Sequence, residues 1–409
     1  MRILMIAPEP FFEPRGTPFS EFHRIRALTA LGHEIDLVTY PFGQPVSMPG
    51  LRIVRSLKPP LVDHVRIGPS LAKIPLDLLL TLTVVRCALS RRYDAIHSHE
   101  EGGAIGAALA AILRVPHLYD MHSSLPQQLT NFAFSGSRLL RAIFGALERF
   151  MIRRSRAVIV ICPSLEETVR AIAPSARTIL IENAPGSVED AAAPDQAAAV
   201  RRSLGVGETT PLVLYTGTFE AYQGLDLLFD GWAIARRACP AETRLVLAGG
   251  KPVQIAAARA SAARAGVEET TIFAGERPAS EIPAYLAAAD VLVSPRSRGT
   301  NTPLKIYQYL RSGKPIVATR LLTHTQVLSD DTAILTDATA DAFAAGIVSA
   351  LVDRARAAAI GRQARTLAET KYSYEAYLEK TRQACAALFD TPVARPSTSS
   401  GRAVTKDVA

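Results

Sequence analysis

One alternation runs through this chain. Short apolar runs of strand length are separated by longer amphipathic segments, from the first residues to beyond residue 330. Runs of this kind, apolar without a polar alternate face, suit parallel strands covered by helices on both sides. In the first half they read RILMIA (2–7), EIDLVTY (34–40), AIHS (95–98), HLYD (117–120), AVIVIC (157–162) and RTILIE (177–182). Helices are expected between them over Phe19–Leu31, Leu71–Leu89, Ala104–Leu113 and Arg138–Arg153. Residues 183–200, NAPGSVEDAAAPDQAAAV, then break the pattern and read as a linker. The alternation restarts with LVLYT (212–216), RLVLAG (244–249), TIFAG (271–275), VLVS (291–294), PIVAT (315–319) and AILT (333–336). A chain of 409 residues exceeds what one core holds. The expectation is an α/β protein of two doubly wound parallel-sheet domains, 1–185 and 201–372, joined by a linker at 186–200. A long helical region is expected over Ala340–Tyr372, a helical segment over 373–390 is expected to pack back on the first domain, and the tail 391–409 lacks apolar periodicity and reads as disordered.

The most informative stretch for chemistry is Ser294–Thr319, SPRSRGTNTPLKIYQYLRSGKPIVAT. Here a strand runs into a polar loop, a helix opens at Pro303 and stops at Gly313, and a second strand follows. That order aims a helix N-terminus at the carboxyl edge of a sheet, with Arg296, Arg298 and Lys305 beside it. Free N–H groups, the positive end of the helix dipole and three cations make an anion site, and a phosphate or diphosphate is the expected anion.

The formal net charge of +8 points the same way, toward acidic partners. Nucleic acid is not expected, because aromatic residues are not interleaved with a basic stripe and no zinc-finger or RNA-binding signature occurs. The four cysteines (Cys87, Cys162, Cys239, Cys385) are far apart, which suits buried thiols in a reducing compartment. No uncharged run reaches the roughly 20 residues of a spanning helix, and no signal peptide is recognised. A cytoplasmic protein is expected, with peripheral attachment to the inner face of the cytoplasmic membrane left open.

Eight segments follow one another along the chain: IAPEPFFEPRGTPFSEFHRIRALTALGHEIDLVTY, YDAIHSHEEGG, VPHLYDMHSS, LIENAP, VLYTGTFEAYQGLDLLF, RLVLAGG, IFAGERPASEIPAYLAAADVLVSPR and TPLKIYQYLRSGKPIVAT. In that order they resemble family 4 (group 1) glycosyltransferases of GT-B architecture, which pair two Rossmann-like domains. The resemblance covers roughly residues 1–385. Two departures stand out. Thr218 and Gln223 occupy the places of the family's phosphate-binding Arg and Lys, and Thr300 and Gln308 those of its paired glutamates. The chain is similar instead to a branch in which Thr-Pro-x-Lys opens the helix.

The resemblance implies a nucleotide-diphosphate sugar as donor and a glycan or lipid-linked acceptor, with no metal or other cofactor. No Asp-x-Asp is present, and the spacing of His97, His99, Glu100 and Glu101 does not make a convincing ligand set. It implies that His122 reaches the transferred sugar, with Asp120 orienting it or binding the acceptor hydroxyl; the other reading of His122 is a helix cap. Lys305 is the leading cation for the diphosphate. Arg15 and Gly16 are expected on the donor from the first domain; the other reading of those residues is a tight turn with a solvated arginine. Donor contacts are expected from Gly217, Thr218, Gly224, Arg277, Arg296, Arg298, Thr300, Asn301, Thr302, Pro303, Leu304 and Gln308, the last through its amide. Acceptor contacts are expected from His97, His99 and Glu100.

Residues 137–156 carry Arg138, Arg141, Arg149, Arg153 and Arg156 on one helical face, opposite Leu140, Ile143, Phe144, Leu147, Phe150 and Met151. Two readings are open: a helix with its apolar side in the core and its arginines in water, or an arginine face on an anionic membrane. The apolar helix Leu71–Leu89 joins such a surface or lies in the core.

Overall fold

The computed structural model describes residues 1–13, 16–60, 62, 65, 70, 73–131, 137–183 and 194–390. The first sheet holds β1 (Arg2–Ala7), β2 (Glu34–Thr39), β3 (Leu51–Arg55), β4 (Ala95–His99), β5 (His117–Met121), β6 (Ala157–Val160) and β7 (Thr178–Leu180). Their order is β3-β2-β1-β4-β5-β6-β7, all parallel. Strand β3 escapes the sequence reading because it lies at the edge and is broken by Arg52 and Arg55. Its Arg52 guanidinium donates twice to Asp36 of β2, at 2.7 and 2.5 Å.

The helices of this lobe are α1 (Gly16–Ala30), α2 (Lys73–Ser90), α3 (Gly102–Leu113), α4 (Leu125–Asn131), α5 (Arg138–Arg154) and α6 (Pro163–Ile172). Parallel crossovers are right-handed. The β1–β2 connection runs opposite in direction to β3–β4, β4–β5 and β5–β6 along the sheet. Helix α1 therefore covers one face, while α2, α3 and α5 lie side by side on the other.

The second lobe begins with α7 (Pro194–Ser203) and continues with β8 (Leu212–Thr216), α8 (Leu225–Ala235), β9 (Arg244–Ala248), α9 (Pro252–Arg264), β10 (Thr271–Gly275) and α10 (Ile282–Ala288). It is completed by β11 (Val291–Ser294), α11 (Leu304–Ser312), β12 (Ile316–Thr319), α12 (Leu322–Thr325), β13 (Ile334–Thr336), α13 (Ala340–Val352) and α14 (Arg354–Lys371). Its sheet order is β10-β9-β8-β11-β12-β13, again all parallel. The strand order reverses between β1 and β4 in one sheet and between β8 and β11 in the other, the places where such sheets open a crevice at their carboxyl ends. A last helix, α15 (Tyr374–Ala387), returns to the first lobe. Its Tyr377, Ala384 and Ala387, with Leu388, share a core with Leu118, Ala157, Ile159 and Ile181.

Three differences from the sequence reading have physical causes. Residues 194–200, read as linker, belong to α7, whose Val200 packs against the second core with Leu204 and Val206; one apolar residue among alanines was too weak a pattern to show it. Residues 184–193 and 391–409 lie outside the described residues. The long helical region after Ala340 is two helices, because Asp353 ends α13 and its side chain accepts from Arg356 N at 3.0 Å to cap α14.

The third difference is the orientation of α5. Glu148 is turned inward, where its carboxylate accepts from Leu125 N at 2.7 Å and from Ser124 Oγ at 3.3 Å, tying down the start of α4. Met151 and Ile152 are buried beside it, while Leu139, Ile143 and Phe150 stay exposed. The expected segregation of apolar and basic faces is therefore incomplete: apolar side chains share the outer face with the arginines. Helix α2 shows a related surprise. Only Leu76, Leu80, Val84 and Cys87 enter the core.

Candidate active site

On β4 the alternation of a strand sends His97 and His99 to one face, and the register sets His99 against Asp120 of β5. Helix α1 covers that face. Its Arg24 Nε donates to Asp120 Oδ2 at 3.0 Å, with the two side chains 2% and 0% exposed. The same guanidinium donates to Thr381 Oγ1 at 3.2 Å and lies 4.9 Å over the Tyr377 ring, so α15 helps to fix it. Burial alone would raise the Asp120 carboxyl, but Arg24 and the neighbouring histidines hold it well below the usual carboxylate range.

Three imidazoles pile up next to this pair. The His97 and His99 rings stack at 4.7 Å, and His99 and His122 at 5.4 Å. His122 Nε2 lies 3.2 Å from His99 Nδ1 and 3.3 Å from Asp120 Oδ1. Burial pushes all three imidazoles below their ordinary value despite the nearby carboxylate, which favours the neutral form. His97 and His99 were expected to touch the acceptor. The structure buries both, with His97 stacked on His99 and His99 on His122. Glu100 ends β4 in the left-handed region (φ 46°), a conformation costly for a non-glycine residue. Its carboxylate accepts from Ser123 Oγ and Gln128 Nε2, and burial raises it well above the usual range.

Glu9, Glu21 and Arg24 belong to this site and were missed. Glu21 lies 3.6 Å from His99 Nδ1. Burial raises the Glu9 carboxyl to about 7 and holds Glu21 well above the usual carboxylate range, as two desolvated carboxyls side by side require. A signal was available: Glu21 and Arg24 fall on the same helical stripe as Ile25 and Leu28, where a solvent-facing charge has no place. His97, His99 and Asp120 also offer ligand atoms within 4.8 Å of one another. The Arg24 guanidinium bonded to Asp120 sets a positive charge beside these three residues, which works against a divalent ion there.

Across the cleft, Pro303 is the N-cap of α11 and Gly313, with φ 68°, its C-cap. Lys305 is 7% exposed; its Nζ sits 3.7 Å over the Tyr215 ring and 3.4 Å from Gln223 Oε1. Burial, and then Arg296, lower it well below the ordinary lysine range. Gly217 faces it: a Cβ there would stand 3.7 Å from Nζ. Gln223 reaches on to Thr218 Oγ1 at 3.5 Å. Gly224 has a different reason to be glycine, since a Cβ would fall 2.1 Å from the Pro295 carbonyl. Glu220, which would repel a phosphate, is turned away to accept from Gln254 Nε2 at 2.9 Å.

The other donor candidates divide. Arg296 lies 4.9 Å over the Tyr222 ring and donates to the carbonyls of Arg298 (3.1 Å) and Asn301 (3.0 Å), so it braces the loop. Arg298 is exposed, and Arg277 is exposed and sits 3.9 Å from Glu281. Thr302 and Pro303 are buried, while Leu304 and Gln308 are half-buried along α11. Gly16, with φ 51°, opens α1 at the cleft, whereas Arg15 lies outside the described residues. Thr300 and Asn301 turn to the opposite lobe: Asn301 Nδ2 donates to the His122 carbonyl at 2.7 Å, and Thr300 Oγ1 to Gln127 Oε1 at 3.3 Å. Gln326 strengthens the bridge, donating to Thr300 O at 2.6 Å and accepting from Ser164 N at 2.9 Å.

Two family models match, and between them they account for most of both lobes. Residues 23–184 match the glycosyl transferase 4-like domain, and residues 210–353 match glycosyl transferases group 1. The chain belongs to the group 1, family 4-like glycosyltransferases. Among curated relatives it is 25% identical over 321 residues to the sulfoquinovosyl transferase SQD2 of Arabidopsis thaliana, covering 78% of this chain and 59% of that one. It is 32% identical over 202 residues to a GDP-mannose-dependent alpha-(1-6)-phosphatidylinositol monomannoside mannosyltransferase of Mycolicibacterium smegmatis, covering 47% and 51%. The chain thus spans little more than half the length of these two relatives.

Among solved structures, sucrose-phosphate synthase from Thermosynechococcus elongatus superposes with a TM-score of 0.77 at 21% identity, covering 95% of this chain and 99% of that one. Anabaena Alr3699/HepE in complex with UDP gives 0.74 at 18% identity, covering 95% and 100%. At these identities the likeness establishes the two-lobed GT-B fold.

Proposed function

We propose that this family member transfers a sugar from a nucleotide-diphosphate donor to a hydroxyl of a glycan or lipid-linked acceptor. The transfer would retain anomeric configuration and need no metal, and it would serve bacterial polysaccharide or glycolipid assembly at the inner face of the cytoplasmic membrane. The observation that carries the reading is Lys305: a buried lysine at the start of α11 that faces Gly217 and has no carboxylate partner among the described residues. A diphosphate supplies the missing charge. As the bond from the anomeric carbon to the phosphate oxygen breaks, negative charge grows on the leaving nucleotide diphosphate. Lys305 and the amino end of α11 stabilise it. The acceptor oxygen bonds to the same face of that carbon, and its proton passes to the departing phosphate. His122, neutral and held by Asp120, borders the sugar from the first lobe and can accept or donate a hydrogen bond there.

Support for the donor class comes from Alr3699/HepE, whose structures contain UDP and UDP-glucose. Support for a lipid-linked acceptor comes from the mycobacterial relative, named for a phosphatidylinositol mannoside. A second reading, a subunit that binds nucleotide sugar without turning it over, is favoured by Gln308 in the place of a family glutamate and by Thr300 bonding across to Gln127. Incubation of pure protein with UDP-, GDP- and dTDP-sugars, with and without membrane extract, tests both. Nucleotide release that depends on acceptor is the expected result. Saturable binding with no release under any condition selects the second reading.

A further inference from the structure

The outer side of the first lobe has a composition unlike the rest of the surface. Along α2, Ile74, Leu78, Leu82, Val85 and Leu89 form one helical stripe and are 40–83% exposed. Their spacing of three and four residues keeps them on a single line down the helix. Helix α3 adds Ile112, and α5 adds Leu139, Ile143 and Phe150. Exposed leucines are ordinary singly, but a continuous stripe flanked by further apolar groups on neighbouring helices marks a contact surface.

Charge distinguishes what that surface contacts. Arg86 on α2, Arg114 just past α3, and Arg138, Arg141, Arg149 and Arg153 on α5 are all exposed on these elements. The three helices carry only two carboxylates, and both are occupied inward. Asp77 accepts from the Tyr40 hydroxyl, and Glu148 is buried against α4. A second copy of this chain docking through the same face would set arginine against arginine about a two-fold axis, which works against self-association. A plane that is apolar in its interior and negative at its surface satisfies both halves of the pattern.

The position of the face matters as much as its chemistry. At the start of α2, Lys73 pairs with Glu101, the residue after Glu100 at the cleft rim. Next to α5, α4 carries Gln127, the side chain that Thr300 reaches across the cleft. The upper edge of the three-helix wall is therefore the lip of the cleft.

From this placement we infer that the outer face of α2, α3 and α5 docks on an anionic lipid bilayer, with the α2 stripe entering the acyl boundary and the cleft mouth held at the headgroups. Its last element, delivery of acceptor from the lipid surface into the cleft, rests on the lipid-linked acceptor proposed above; the docking itself does not. The arginines of α5 draw the lobe to the surface, and the α2 leucines hold it there.

Sedimentation of the full chain with vesicles of phosphatidylcholine, with or without phosphatidylglycerol, tests the docking. Binding should require phosphatidylglycerol and weaken as salt rises. Arg141→Glu with Arg149→Glu should lower the partition about 10-fold or more. Leu78→Glu with Leu82→Glu should lower it about 100-fold, with an unchanged circular dichroism spectrum. A Leu82→Trp variant should shift its emission to shorter wavelength on vesicles, whereas native Trp232, buried in the second lobe, reports no change. The inference is overturned if the wild-type chain stays in the supernatant with phosphatidylglycerol vesicles, or if the Leu78/Leu82 double variant sediments as well as wild type. It is equally overturned if those leucines prove to be needed for a dimer in solution. Calorimetric titration of the same samples with UDP-sugars reads the cleft separately, so loss of docking and loss of donor binding remain distinguishable.

Discussion

The two rims that face the cleft handle buried charge in opposite ways. On the first lobe, Asp120 is matched by Arg24, the histidines lie neutral around the pair, and Glu9 and Glu21 are raised toward their protonated forms. That rim balances its own charge, although both His97 nitrogens, His99 Nε2 and His122 Nδ1 lack a hydrogen-bond partner among the described residues. On the second lobe, Lys305 and Arg296 approach each other and no carboxylate among the described residues answers them. One rim uses its charges to hold shape, and the other, in the reaction proposed above, holds a charge for a ligand. Desolvation is costly in both places, and the proposed diphosphate would offset it in the second.

If this contrast is right, the largest effect should come from Arg24. Replacing it by alanine strands a buried Asp120 and should cost about 3–5 kcal/mol of stability, read as a lowered urea midpoint. A variant as stable as wild type would show that the first rim is not self-compensated. Lys305→Ala should do the reverse, lowering turnover about 100-fold or more while leaving the melting temperature equal or higher. Loss of stability there would mean that the lysine, too, is structural.

The third test uses pH. In the folded chain Lys305 releases its proton well below the ordinary 10.5, whereas the unfolded chain releases it there. Unfolding therefore takes up a proton between the two values, and stability rises with pH across that window by up to about 1.4 kcal/mol per unit. Ligand-free protein should melt higher at pH 9 than at pH 7, with that part of the rise absent in Lys305→Met. Binding of UDP should take up protons, seen as a heat that depends on the buffer's ionisation enthalpy. The smallest effect expected is from Asn301→Ala, which removes the bond to the His122 carbonyl and should cost roughly 1 kcal/mol. Small-angle scattering should then show a wider opening between lobes; an unchanged profile would mean that the bridge does not set their spacing.

Much of the architecture was legible because parallel strands buried on both faces leave uninterrupted apolar runs, and every described strand except β3 overlaps one of them. Edge strand β3 was not, since the charge of Arg52 is answered only across the sheet, by Asp36 of the preceding strand. The loop and helix from Ser294 to Gly313 announced themselves through proline and glycine, and Lys305 through its place in the first turn. Arg24 and Glu21 did not, because a charge inside a helix is readable as buried only when the pattern around it is trusted over the residue type. The inward turn of Glu148 was invisible for the same reason. It depends on an amide at Leu125 that no local pattern around α5 specifies.

The return of α15 has a consequence for how the chain is made. Tyr377, Ala384, Ala387 and Leu388 complete a core whose other walls come from β5, β6 and the segment after β7, and Thr381 is one of the groups that fix Arg24. A ribosome must therefore carry the chain past Leu388 before the lobe begun at β1 can finish packing. The second lobe, whose own cores draw only on residues between Val200 and Tyr372, can settle earlier although it is synthesised later.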